Sequence, residues 1–114
     1  MRHRKKRHLR GSHDRQRKEL RALAASLILY EKIVTTNGRA RLAKSKVEKM
    51  VTRGKKPGLP TLRALRSDLP LNAVKKVMEV LSPRYATRNG GYTRSLHVGT
   101  FRDGTPKIQL EFVK

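Results

Sequence analysis

The chain has 114 residues, and its 29 Lys and Arg against 8 Asp and Glu give a formal net charge of +21. This length suits one compact domain, and so basic a molecule repels itself unless a polyanion neutralises it. Nucleic acid, an anionic membrane surface and an acidic protein are the candidate partners. The longest mostly apolar stretch, residues 22–30, is too short for a membrane span of roughly 20 residues, so we expect no membrane partner.

Two further exclusions follow from the composition. The chain has no cysteine, which excludes disulfides and thiolate metal sites. No small-residue cleavage pattern follows the apolar stretch, so we expect no secretion signal. An organelle import segment stays open, because the first residues are rich in arginine and poor in acids.

The beginning of the chain is predicted to be a disordered basic arm. Residues 1–18 contain nine Lys or Arg, while Asp14 is their one acid and Leu9 their one aliphatic residue. Such a composition cannot build a core. We therefore predict an arm over residues 1–15 and a single folded domain over residues 16–114.

Two amphipathic helices are predicted on either side of a short strand. Apolar residues recur at helical spacing from Gln16 to Glu31, and the β-branched "KIVTT" of residues 32–36 is typical of a strand. Thr36 or Asn37 can cap the second helix. Its predicted apolar face consists of Ala40, Ala43, Val47, Met50 and Val51. Its remaining sides carry Arg39, Arg41, Lys44, Lys46 and Lys49.

A loop rich in glycine and proline, residues 53–60, ends the second helix. Leu62, Leu65 and Leu69 then predict a short helix, and Pro70 begins another. The predicted core residues of that last helix are Leu71, Val74, Val77, Met78 and Leu81.

The last third of the chain changes to strand spacing. Leu96 and Val98 alternate with polar neighbours, Ile108, Leu110 and Phe112 do the same, and Asp103 and Gly104 between them mark a turn. We predict a hairpin with these five apolar residues on its core face. Tyr30 and Phe112 could each be core residues or exposed stacking platforms. The predicted class is α+β, a small and largely antiparallel sheet of about three strands with helices on one face.

Enzymatic chemistry has little support in the pattern of residues. The acids are dispersed along the chain, whereas a metal-dependent nuclease clusters its carboxylates, although acids distant in sequence could still meet. His3, His8 and His13 are spaced so that their rings would diverge by about 140° on a helix. We expect no catalysis, cofactor, metal or small-molecule substrate.

Four segments together are distinctive: "MRH" at the start, "TTNGRARLAKSKVEKMV" at 35–51, "SPRYATRNGGYTR" at 82–94 and "IQLEFV" at 108–113. In order and spacing they resemble the bacterial large-subunit ribosomal protein family number seventeen. The resemblance is weaker over residues 5–14 and 53–69, and Leu42 stands where that family often has an acid. It implies a structural protein that binds large-subunit ribosomal RNA near the nascent-chain exit and contacts neighbouring ribosomal proteins. The implied location is the cytoplasmic ribosome, with an organelle ribosome as the alternative.

The stretch "RYATRNGGYTRS" at 84–95 is predicted to touch RNA. Gly90 and Gly91 can adopt positive φ, which lets a phosphate or ribose approach the backbone, while Arg88 and Arg94 flank it. Tyr92 could stack on a base or pack beneath the loop, and the whole segment could instead be a plain turn. The predicted RNA contacts are Arg2, His3, Arg4, Lys5, Lys6, Arg7, Arg10, His13, Arg15, Thr35, Thr36, Arg39, Arg41, Lys44, Arg84, Arg88, Gly90, Gly91, Tyr92, Thr93 and Arg94.

A second function remains open from the sequence. The chain could be a free basic protein that acts on nucleic acid, either a chromatin-like DNA binder or a nuclease. Its few aromatic residues disfavour a base-stacking single-strand binder, and it has neither a zinc-finger pattern nor a heptad zipper.

Overall fold

The computed structural model describes Leu9 and residues 11–113. The helices are α1 (His13–Tyr30), α2 (Asn37–Gly54), α3 (Leu59–Arg66), α4 (Leu71–Lys76), a π-helical turn (Val77–Leu81) and α5 (Ser82–Arg84). The strands are β1 (Lys32–Thr36), β2 (Thr93–Thr100) and β3 (Pro106–Phe112). Strand β3 lies in the centre of the sheet and pairs antiparallel with β1 and β2. The α+β class and the three-stranded antiparallel sheet are therefore confirmed.

Helix α1 begins at His13, earlier than the predicted Gln16. The Ser12 hydroxyl accepts a hydrogen bond from the backbone N–H of Arg15 at 3.4 Å, and Asp14 places a negative charge in the first turn. His13 and Arg15 therefore lie in this helix. The predicted RNA contacts at positions 2–7 and 10 lie outside the described residues.

The core lies between the helices and the inner face of the sheet. The predicted apolar face of α2 is confirmed in full, and the buried side of β3 carries Ile108, Leu110 and Phe112. Helix α1 contributes Ala24, Leu27 and Ile28. Each fully buried Leu, Ile or Val stabilises the fold by about 1.5–3 kcal/mol, so the buried side chains of α1, α2 and β3 fix how the two helices pack on the sheet.

Among the helices of the described chain, none is long and apolar enough to cross a bilayer.

The predicted core face of β2 is wrong. Leu96 pairs with Gln109, and directly opposed residues of an antiparallel pair share a face. Gln109 alternates with the buried Ile108 and Leu110, so Leu96 faces away from the helices. Leu96 is 40% exposed and Val98 48%. Alternation within one strand defines two faces, but only the register with β3 decides which of them is inside.

Two other apolar positions are also more exposed than a core residue. Leu71, predicted to face the core, is 48% exposed because it lies at the first residue of α4, and the buried stripe begins at Ala73. Tyr30 is 76% exposed, whereas Phe112 is buried. Of Tyr30 and Phe112, only Phe112 is therefore a core residue.

Gly54 ends α2 where the helix packs against the π-helical turn. A Cβ at this position would lie 2.7 Å from the Ser82 hydroxyl oxygen and 2.8 Å from a Val77 methyl group. Both distances are shorter than a Cβ normally keeps from another heavy atom, so the close packing of α2 here requires glycine.

We expect Gly54→Ala to lower the free energy of unfolding by about 1–3 kcal/mol, because the added methyl overpacks the core. Gly38→Ala is the matched control, since Gly38 is also in α2 and a Cβ there meets nothing within 4 Å. Alanine at position 38 should leave stability unchanged or raise it by about 0.5–1 kcal/mol. Denaturant unfolding of both variants tests this, and equal effects would contradict the packing argument.

Glu31 joins the end of α1 to α4 and α5. Its carboxylate accepts hydrogen bonds from Lys76 Nζ at 3.2 Å and from the Arg84 guanidinium, and Lys76 Nζ also donates to the Leu29 carbonyl at 3.0 Å. The bond from Arg84 lowers the pKa of Glu31 below its ordinary value of 4.5; partial burial opposes this, and Lys76 adds to the lowering. The folded state therefore favours the ionised carboxylate.

A carboxylate with a lowered pKa stabilises the fold above its ordinary pKa, and this contribution is lost as the pH falls through the folded value. We expect Glu31→Gln to cost up to about 1 kcal/mol at neutral pH, since the pairs are partly exposed, and to flatten the loss of stability in acid. Glu79→Gln is the control, because Glu79 is exposed and forms no ion pair within the described chain. Unfolding curves at several acidic pH values measure the difference, and parallel curves for both variants would contradict it.

Candidate nucleic-acid interface

The loop around Gly90 and Gly91, which we call the glycine loop, has the backbone geometry that close approach of a phosphate or ribose requires. Gly90 and Gly91 have φ values of 146° and 61°, both in the region that favours glycine. A Cβ on either residue would meet nothing within 4 Å, so this side of the loop is open. Arg88 lies beside the glycine loop, and its Nε donates a hydrogen bond to the Gly90 carbonyl at 3.3 Å.

Tyr92 packs beneath the loop and offers no ring face to a base. It is 1% exposed, and its ring centroid lies 5.1 Å from that of Tyr85. The Tyr92 hydroxyl is 3.1 Å from Thr52 Oγ1, and Lys55 Nζ lies 4.6 Å from the ring centroid. Burial opposes ionisation of the phenol, but hydrogen bonding to Lys55 and Thr52 outweighs it, so the pKa of Tyr92 is lowered from 10.0.

Thr35 and Thr93 were predicted RNA contacts, but both are buried. Thr35 lies opposite Ile108 and Thr93 lies opposite Phe112, so the strand register turns both threonines toward the core. The structure does not support direct contact by either side chain. Thr36, by contrast, is half-buried at the start of α2, and its hydroxyl makes no capping hydrogen bond.

Three of the predicted arginines are engaged within the protein. Arg39 pairs with Glu19 at 2.5 Å, Arg94 pairs with Glu111 at 2.8 Å, and Arg84 pairs with Glu31. A guanidinium has five N–H donors, so an exposed one can still bind a phosphate, but the neighbouring carboxylate offsets its charge. Each of these arginines is therefore expected to bind an external phosphate more weakly than an unpaired arginine would.

The row of positive residues along α2 and the turn after it lies on the side opposite the core. We call this row the α2 basic face; it consists of Arg41, Lys44, Lys49, Arg53 and Lys56. Within the part of the chain that the structure describes, none of its members forms an ion pair. Residues 41, 49 and 53 are spaced by multiples of four, which places them along one side of a helix.

Sequence reasoning named only Arg41 and Lys44 of this face as RNA contacts. The sequence places Lys49 on the charged side of the helix and Arg53 and Lys56 in a loop, so it shows the positive charge of all three. It does not show their common surface, because that surface depends on α2 reaching Gly54 and on the acids pairing with other cations. Lys46, for example, approaches Asp68 at 3.7 Å.

A groove lies between helix α2 and the glycine loop, and part of the α2 basic face lines it. It has a volume of about 540 Å³ and is lined by Glu48, Lys49, Thr52, Arg53, Lys56, Gly90, Gly91 and Tyr92. The Glu48 carboxylate accepts a hydrogen bond from the Tyr92 backbone N–H at 2.8 Å, which ties the loop to the helix. The Lys55 ammonium donates to the Arg88 carbonyl and makes a second tie. The two predicted glycines and three members of the α2 basic face thus line one concave surface.

Comparison with known proteins places most of the chain in one family. Residues 19–113 match the family model described as Ribosomal protein L17. The chain is 42% identical to the large ribosomal subunit protein bL17 of Thermodesulfovibrio yellowstonii over 99% of its own length and 87% of that protein. It is 46% identical to the protein of the same name from Endomicrobium trichonymphae, over 80% of the chain and 79% of that relative. The matched region includes α2, the glycine loop and all three strands, and this chain belongs to the ribosomal protein L17 family.

Proposed function

We propose that this protein is a structural, non-catalytic constituent of the large ribosomal subunit and that it binds large-subunit ribosomal RNA. Its relatives are named as large ribosomal subunit proteins, which supports the proposal that this chain is part of that subunit. The observation that carries RNA binding is the α2 basic face, a solvent-facing row of cations that form no ion pair with any acid in the described part of the chain. A site near the nascent-peptide exit and contacts with neighbouring ribosomal proteins are parts of the proposal that rest on the family resemblance.

The α2 basic face has the properties that a phosphate-binding surface needs. Four of its five cations are fixed on a helix whose other side is buried, so the spacing of their Cα atoms is set before RNA arrives. Arg41 and Arg53 can each hold a phosphate through two parallel N–H donors, and Lys44 and Lys49 supply point charges. Binding then releases the counterions condensed on RNA, which is the main source of affinity in such interfaces.

Co-sedimentation tests the proposed assembly. The full chain, produced in bacteria with a small affinity tag, should be recovered in stoichiometric amount with salt-washed large subunits. Recovery with DNA instead, or cleavage of nucleic acid on addition of a divalent metal, would point to the free nucleic-acid-binding protein or the nuclease. Assaying the same sedimentation fractions for bound protein and for cleavage of nucleic acid distinguishes the ribosomal protein from the alternatives.

Salt dependence gives a separate prediction for the isolated complex with large-subunit ribosomal RNA. If about six to ten phosphates are contacted, raising the salt from about 50 to about 200 mM should weaken binding by roughly a thousandfold or more. Arg41→Gln should reduce the slope of log Kd against log salt by about one contact. Binding isotherms at several salt concentrations measure both quantities, and a nearly flat dependence would contradict RNA binding through phosphates.

A further inference from the structure

We propose that the groove between α2 and the glycine loop holds one unpaired nucleotide of RNA, with its phosphate against Lys49, Arg53 and Lys56. This rests on the proposed function and assigns a ligand class to one part of the interface. The size of the groove, its mixture of charges and the bare glycine backbone on one of its walls point to this ligand.

The dimensions of the groove suit a nucleotide. Its volume of about 540 Å³ falls within the range of about 300–1,000 Å³ typical of sites for small organic ligands, and exceeds what a single phosphate ion would fill. Lys49, Arg53 and Lys56 line it and form no ion pair in the described part of the chain. Their ammonium and guanidinium groups can bind phosphate, while their aliphatic stems supply apolar surface for a base or ribose.

Glu48 distinguishes a nucleotide from a simple anion as the ligand. One of its carboxylate oxygens accepts the Tyr92 N–H at 2.8 Å, and the other has no hydrogen bond to any described residue. A carboxylate beside three cations repels phosphate but accepts hydrogen bonds from hydroxyl and amino groups. A nucleotide of RNA has both parts, an anionic phosphate and the donors of its ribose and base.

The loop wall explains why the nucleotide should be unpaired. Gly90 and Gly91 leave their backbone bare toward the groove, and a Cβ on either would meet open space, so packing alone does not require glycine at position 91. A duplex presents its phosphates on a convex surface with its bases stacked inside, whereas a splayed nucleotide can enter a concave site. Because Tyr92 is buried, the contact is made through backbone, cations and aliphatic stems and not through aromatic stacking.

The test uses the full chain and two probes at one salt concentration: an unstructured oligouridine of about ten nucleotides, a length that a small domain can span, and an RNA duplex of similar length. Gly91→Asn fills the loop wall, and asparagine tolerates the left-handed backbone found at φ 61°. We expect this variant to bind oligouridine about tenfold more weakly and to bind the duplex within about twofold of the parent. Gly104→Asn is the matched control, since Gly104 also has positive φ and open space around it but lies in the hairpin turn. It should bind both probes like the parent.

A second pair of variants keeps the test decisive if Gly91→Asn lowers the melting temperature. Arg53→Gln and Arg66→Gln each remove one positive charge, but only Arg53 lines the groove. Arg53→Gln should weaken oligouridine binding several times more than Arg66→Gln does. Equal losses from these two, or oligouridine binding by a folded Gly91→Asn that matches the parent, would overturn the groove assignment. Co-sedimentation of the parent with large subunits decides the proposed function separately, so the two failures can be told apart.

Discussion

Burial of the small, apolar side of α2 against α1, the sheet and the π-helical turn fixes the direction in which its cations point. Ala40 and Ala43 let the neighbouring elements approach closely, and Gly54 lets the end of the helix meet Ser82 and Val77. Once this side is buried, the opposite side must face solvent. The α2 basic face, the wall of the groove and the anchor for the glycine loop all depend on that one packing arrangement.

The few acids are used to join elements of the fold. Glu31 joins α1 to α4 and α5, Asp68 accepts from Arg21 of α1 and lies near Lys46 of α2, and Glu48 holds the backbone of the glycine loop. Each such contact removes positive charge from another part of the surface or fixes a loop. The α2 basic face receives none of these ion pairs, so its charge stays available to an external anion.

The sheet contributes a second exposed surface of different character. Val34 and Leu96 lie on either side of Gln109, on the face of the sheet that none of the described helices covers, and both are exposed. Apolar groups exposed on a sheet are typical of surfaces that contact another macromolecule, and this face agrees with the proposal that the protein has neighbours within the ribosome. The basic and apolar surfaces are separated because α2 packs on the inner face of the sheet, while β3 directs alternate residues to the inner and outer faces.

The sequence by itself determined the elements whose cause is local. Periodicity placed the buried face of α2 correctly, β-branching identified β1, and the Asp103 and Gly104 turn identified the hairpin. The family was also identifiable from sequence, because the glycine loop, the basic helix and the last strand keep characteristic residues in order. The positive φ of Gly90 and Gly91 was predictable for a related reason: two adjacent glycines suit a backbone that other residues avoid.

Only the tertiary structure decided which side of each strand is inside and which cations remain unpaired. The alternation of Leu96 and Val98 was visible in the sequence, but the register with Gln109 turned it outward. Tyr92 and Thr93 adjoin a solvent-exposed loop, yet the pairing of β2 with β3 and the packing against Thr52 bury them. Arg84 and Arg94 looked as available as Arg53 until Glu31 and Glu111, distant in sequence, were placed beside them. Strand register and long-range ion pairing depend on residues that the chain brings together only when it folds, which is why local patterns could not supply them.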